Sequence, residues 1–128
     1  MKRDSTLFLK NIVKACEYIQ KFVEGLTFEE FLRDEKTSSA VIRKFEIIGE
    51  AVKGIPEFIR NRYSDILWKD MAGMRDRLIH GYFGIDYFIV WNSIESDIPN
   101  ILSLVSKIVD DLKKEQIDTK DKNGLNAV

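Results

Sequence analysis

Residues 7–23, Leu7-Phe8-Leu9-Lys10-Asn11-Ile12-Val13-Lys14-Ala15-Cys16-Glu17-Tyr18-Ile19-Gln20-Lys21-Phe22-Val23, carry the pattern that decides the fold. Phe8, Ile12, Ala15, Cys16, Ile19, Phe22 and Val23 recur at steps of three and four, the spacing that lines one side of an α-helix. A helix so marked must bury its stripe against other elements, and the rest of the chain supplies helical partners. Gly25 ends this first helix, and Thr27 followed by Glu30 forms a capping-box pattern for a short helix through Phe28, Phe31 and Leu32. The charged run Arg33-Asp34-Glu35-Lys36 reads as a turn, after which Thr37 or Ser38 caps a third helix on Val41, Ile42, Phe45, Ile48 and Val52, ending near Gly54.

Pro56 suits the first turn of a short helix to about Tyr63. From Ile66 to His80 the residues Leu67, Met71, Met74 and Leu78 continue the helical spacing. Gly73 is a weak point there, costing about 1 kcal/mol relative to Ala, and it suggests a place where another backbone comes close. Gly81 and Gly84 stop or bend the helix that carries His80, and Asp86 caps the next one. The last helix runs from Tyr87 to about Glu115 on Trp91, Ile94, Ile98, Ile101, Leu102, Val105, Ile108, Val109 and Leu112, with a kink expected at Pro99. Trp68, Trp91 and the Phe residues fall on the apolar stripes and are expected in the core.

No stretch alternates with a period of two, and no internal repeat is visible. The expected fold is all-α, an antiparallel bundle of four to five helices forming one domain over residues 1–116, with a flexible tail over 117–128 that has little to bury. At 128 residues the chain can bury roughly two thirds of its unfolded surface in one core without metal or disulfide. The single Cys16 lies on the buried stripe and suits a packing role in a reducing compartment. No apolar run reaches the roughly 20 residues of a membrane span and no signal-peptide pattern opens the chain, so a cytoplasmic protein without membrane contact is expected.

Twenty Lys and Arg against twenty-one Asp and Glu leave a net charge of −1, which excludes nucleic-acid binding by bulk charge. Any RNA contact must be local. Between Lys53 and His80 the bases Lys53, Arg60, Arg62, Lys69, Arg75 and Arg77 outnumber the acids Glu57, Asp65, Asp70 and Asp76, a bias that a solvated helix face also shows. One His and one Cys far apart leave too few ligands for zinc, and the glycines match neither a P-loop nor a dinucleotide fingerprint. No metal and no cofactor are expected.

His80 is the chain's only histidine, and it follows Arg75 with four residues between. Five residues of ideal helix turn through about 500°, leaving the two side chains about 140° apart around the axis. They converge only where the helix ends, which Gly81 and Gly84 permit. On spacing alone, a functional pair and a helix-end histidine with satisfied hydrogen bonds both fit.

The segment Met71-Ala-Gly-Met-Arg75-Asp-Arg-Leu-Ile-His80-Gly-Tyr82, followed by Asp86 and Val90-Trp91, resembles the Arg-x4-His-x-Tyr signature of the HepT-type toxins of the HEPN superfamily. Gly49-Glu50-Ala51, Trp68 and Asp97-Ile98-Pro99 match further blocks, and the likeness covers Leu7 to Lys113. The resemblance implies a HEPN-like bundle and a metal-independent endoribonuclease in which Arg75 binds the scissile phosphate and His80 moves protons. It also implies a homodimer whose two copies of the motif face one cleft, and a type VII-like pairing with a minimal nucleotidyltransferase antitoxin of the MntA kind that attaches AMP to Tyr82. The alternative is a catalytically silent helical module that binds a nucleotidyltransferase partner or a nucleotide.

Three supporting residues carry open readings. Tyr82 fits an AMP acceptor, a base-stacking platform or a half-buried core aromatic. Asp76 either orients His80 or Arg75, or is a surface acid paired with a neighbouring base. Glu50 either pairs with Arg75 or faces solvent, while Glu46 reads as exposed.

Overall fold

Leu9, Ile12, Cys16 and Ile19 lie one above another on the first helix and are wholly buried, with Ala15 beside them. The computed structural model describes residues 2–79 and 84–126, with side chains described over 6–79 and 84–116. Helix α1 (Lys2–Phe22) is the centre of the bundle, packed against α3 (Glu35–Lys53) and α7 (Tyr87–Asn126). Near its start α1 meets the end of α3, where Phe8 lies at Gly54, and near its end Lys44 sits over Tyr18, so α1 and α3 are antiparallel. The first half of α1 also shares a groove with residues 106–113 of α7, while Phe31 of α2, just after the end of α1, packs on Tyr87 and Trp91 at the start of α7, so α7 is antiparallel to α1 as well. The all-α antiparallel architecture expected from spacing is the one observed, and no strand occurs among the described residues.

Four short helices make the links: α2 (Phe28–Arg33), α4 (Glu57–Arg62), α5 (Trp68–Ala72) and α6 (Met74–Leu78). The capping box before α2 forms as expected, Glu30 N–H donating to Thr27 Oγ1 at 3.2 Å and Thr27 N–H to Glu30 Oε1 at 3.1 Å. The cap of α3 differs from expectation. Asp34, not Thr37 or Ser38, is the N-cap: its carboxylate accepts from Thr37 N–H at 3.0 Å and from Thr37 Oγ1 at 2.7 Å. Those two bonds hold the Asp34 carboxyl below the usual range. The same residue closes α2 through its N–H, so the four-residue turn read from the charged run contracts to one residue.

At the far end of α3 the guanidinium of Arg60 donates to the carbonyls of Val52 at 2.6 Å and Ile55 at 3.1 Å, supplying partners that a helix C-terminus lacks. The single helix expected from Ile66 to His80 is two helices divided at Gly73, and the second stops at Leu78. The inward positions of this stretch are Ile66, Trp68, Met71, Met74 and Leu78, whereas Leu67 is exposed. Of the aromatics placed in the core, Trp68 is buried and Trp91 is packed on Phe31 at 5.2 Å, but Phe58 and Phe88 face solvent. Asp86 accepts from Ile89 N–H at 3.1 Å, the cap expected for α7. That helix runs on through Pro99, whose exposed position leaves its missing donor on the solvent side, and its backbone stays helical to Asn126.

Cys16 is free and buried as expected, and burial, helped by Glu17, pushes its thiol up to about 12, so it is chemically quiet. No helix among the described residues is long and apolar enough to cross a membrane.

Glycine serves close approach at two places that spacing did not mark. A Cβ on Gly49 would lie 3.5 Å from the Ala72 carbonyl oxygen, and one on Gly54 would lie 2.5 Å from the Phe8 ring. Around Gly73 the nearest atom is the Lys69 carbonyl of its own stretch at 3.5 Å, so the close backbone contact expected there is made by Gly49. Gly54→Ala is therefore expected to lower the unfolding free energy in urea by about 1 to 3 kcal/mol, because the ring must move out of a packed position. Adding Phe8→Leu should recover part of that loss, whereas Gly73→Ala should stay within about 0.5 kcal/mol of wild type. Equal losses at the two glycines would contradict this account.

Candidate active site

Met74 and Leu78, one turn apart on α6, are buried against the core, and this turns Arg75, Asp76 and Arg77 outward. Arg75 is thereby fixed at its base with its guanidinium half exposed. Its Nε faces Glu46 Oε2 at 3.5 Å, and its Nη1 lies 3.7 Å from Asp76 Oδ1. Glu46 sits on α3, one turn before Gly49, over which the end of α5 packs at contact distance.

The carboxylate opposite Arg75 is thus Glu46, the residue read as simply exposed. Glu50, the partner suggested by the sequence, stands one turn further along α3, mostly exposed, and lies 3.6 Å from Lys53 in an open i,i+3 pair. The reason is register: α6 begins at Met74, so Arg75 meets α3 one turn nearer its N-terminus than Glu50. Asp76 is mostly exposed and pairs with Arg75 itself, which joins the two readings left open for it. In so exposed a setting each pair adds orientation rather than much stability.

After Leu78 the chain leaves the helix. Ile79 is extended, its N–H donating to the Arg75 carbonyl at 2.9 Å, and it forms an antiparallel bridge with Ile85. Asp86 N–H donates to the Leu78 carbonyl at 3.2 Å, and Gly84 takes φ +89, a conformation that suits glycine. The two ends of the segment that carries His80 and Tyr82 are therefore clamped together directly beyond Arg75. His80 and Tyr82 themselves lie outside the described residues. The helix end that the Arg-x4-His spacing requires falls at Leu78, two residues before His80.

The described residues hold no group of His, Cys, Asp and Glu suited to a metal ion. The sequence reading missed Glu46 because its spacing from Glu50 placed both on successive turns, and nothing local says which one faces another helix.

With this geometry in place, comparison with known proteins is decisive: the family model described as "Ribonuclease HepT-like" matches residues 12–108. The chain belongs to the HepT-like ribonuclease family. The match runs from the middle of α1 to the middle of α7 and bears out the family resemblance. Among curated relatives, "Probable ribonuclease HepT" of Thermococcus cleftensis is 44% identical over 108 residues, 84% of this chain and 98% of that protein. "Putative RNase MJ0127" of Methanocaldococcus jannaschii is 45% identical over 114 residues, 89% of this chain and 94% of that protein. No solved structure matches the chain. In this HepT-like chain, Arg75 stands half exposed on α6, just before the Ile79–Ile85 bridge.

Replacing Glu46 by Ala is expected to shift the NMR resonance of the Arg75 Nε–H group while lowering stability by less than about 1 kcal/mol, as for other exposed pairs. Glu50→Ala should leave that resonance in place. A signal indifferent to Glu46 would mean that the pair does not form in solution.

Proposed function

We propose that this chain is a metal-independent endoribonuclease toxin of a type VII-like toxin–antitoxin pair, acting in the cytoplasm as a homodimer. The observation that carries the reading is the half-exposed Arg75 guanidinium, held by Glu46 one helical turn before the clamped end of the segment that bears His80. Membership in the HepT-like ribonuclease family supports it. In this reading residues 1–116 are the working domain and 117–128 a tail.

Chemistry then follows from the two side chains. Arg75 offers a planar fork of donors with a permanent charge, suited to two oxygens of the scissile phosphate and to the negative charge that grows on them. The substrate's 2′-hydroxyl attacks phosphorus and loses a proton, while the departing 5′-oxygen gains one. Imidazole, with an ordinary value of about 6.5, serves in either role near neutrality. One chain has one histidine, so a two-fold dimer supplies both roles from a single motif, His80 of one copy as base and that of the other as acid. The products are a 2′,3′-cyclic phosphate and a free 5′-hydroxyl. Asp76, paired with Arg75, helps to orient it.

Regulation falls to Tyr82, two residues past His80, as the acceptor of AMP from a minimal nucleotidyltransferase antitoxin of the MntA kind. The added phosphate places negative charge where Arg75 would otherwise meet RNA.

The test is RNA cleavage by purified protein in EDTA, with product ends read by mass spectrometry. Cyclic phosphate ends are expected, with activity falling about 100- to 10,000-fold for His80→Ala and about 100- to 1,000-fold for Arg75→Ala. Equal cleavage by wild type and His80→Ala would reject the mechanism. A stable complex with the transferase and no RNA turnover by the unmodified protein would instead favour a silent binding module.

A further inference from the structure

The outward ridge of α3 lies between α6 on one side and α1 on the other. On the α6 side stands Glu46 with Arg75, and Arg43, exposed, lies one turn before Glu46, about 4.5 Å along the helix. On the α1 side Lys44 Nζ sits 4.6 Å above the ring of Tyr18. Tyr18 is 38% exposed and stacks on Phe22, with centroids 5.7 Å apart and planes at 29°. Between α1 and α3 runs a groove of ≈ 260 Å³ lined by Asn11, Lys14, Ala15, Tyr18, Lys44 and Ile47. Lys14 and Lys21 flank Tyr18 on the same side of α1, four residues before it and three after, and both are exposed.

Cations outnumber acids here. Glu46 and Glu50, the acids of the α3 ridge, already face Arg75 and Lys53. Among the described residues no carboxylate is within ion-pair distance of Lys14, Lys21, Arg43 or Lys44. Glu17 lies on α1 between Lys14 and Lys21, within a turn of each, and with Lys14 it also lines the groove on the α7 side. A near-neutral protein therefore carries a local strip of cations, an aromatic ring among them and a small apolar floor at Ala15 and Ile47. Cations spaced for phosphates beside an aromatic face are the chemistry that holds a single polynucleotide strand.

We infer that the α1–α3 groove holds the RNA strand flanking the phosphate at Arg75, with Tyr18 stacking one base and Arg43, Lys44 and Lys14 meeting the backbone. The inference rests on the ribonuclease reading and adds to it the path of the substrate. Lys44 is placed to work twice. Without RNA its ammonium covers the Tyr18 ring, a weak contact at an exposed site, and with RNA it swings to a phosphate and yields the ring face to a base. A strand entering at Arg75 would cross α3 beside Arg43 and reach Tyr18 on the next helix, a span set by the usual 8–10 Å between packed helices.

The experiment is fluorescence anisotropy of the full chain with a labelled single-stranded 2′-O-methyl oligonucleotide, which cannot be cleaved because its 2′-oxygen is blocked. Tyr18→Ala is expected to raise Kd about tenfold and Tyr18→Phe, which keeps the ring, to restore binding. Arg43→Ser with Lys44→Ser should reduce the slope of log Kd against log salt by about 1.4, two phosphates at 0.7 each. Binding by these variants equal to that of wild type, while wild type cleaves RNA in EDTA, overturns the groove and leaves the ribonuclease reading standing. Weakened binding in the variants with no cleavage by wild type keeps the groove and overturns the ribonuclease reading. Sedimentation that shows the variants falling from dimer to monomer makes this face a contact between copies of the chain, and overturns the groove.

Discussion

The seat of α5 and α6 on α3 is the constraint on which the rest depends. A Cβ added at Gly49 would stand 3.5 Å from the Ala72 carbonyl oxygen, at contact distance, so the end of α5 rests directly on α3 here. That approach puts α6 within reach of Glu46, and the burial of Met74 and Leu78 fixes which of its residues face outward. Apolar burial holds the guanidinium's base, and a weak polar contact aims its end. This division is physically sound, since an exposed ion pair cannot anchor a helix but can bias one long side chain.

The chain beyond α6 is handled differently. Gly73 interrupts one helix and the extended Ile79 ends the next, so the helical register that carries Arg75 is given up at Leu78. The Ile79–Ile85 bridge and the bond from Asp86 to Leu78 then close that segment at its base. Its entry is tied to α6 and its exit to the cap of α7, both resting on the core.

Charge is arranged on a similar economy. The whole chain is close to neutral, yet the outer surfaces of α1, α3 and α6 gather Lys14, Lys21, Arg43, Lys44 and Arg75, while acids such as Glu46 and Glu50 are taken up by local pairs. Elsewhere charge does structural work, as where Arg60 closes the end of α3 and Arg62 with Tyr63 ties the α4 region to Glu115 and Asp111 of α7. Exposed Phe88 and Leu32, beside the aromatic contacts of Phe28, Phe31 and Trp91, mark the other end of the bundle as apolar at its surface.

Periodicity by itself determined the long helices and their inward residues, because a 3.6-residue repeat of apolar side chains has one stable use in water: Ile12, Cys16, Ile19, Val41, Phe45, Ile48, Val52, Ile98 and Val105 all lie inside. Local chemistry likewise determined the capping box at Thr27 and the cap at Asp86, since each needs only residues within three positions. What tertiary structure alone decided was the partner of Arg75. Glu46 and Glu50 are equivalent to any local rule, and the choice between them depends on how far α6 slides along α3, which Gly49, Gly73 and two buried side chains settle together. The same holds for the glycine of close approach and for Leu67, Phe58 and Phe88 at the surface: apolar spacing says which residues can be buried, and only the packed neighbours say which ones are.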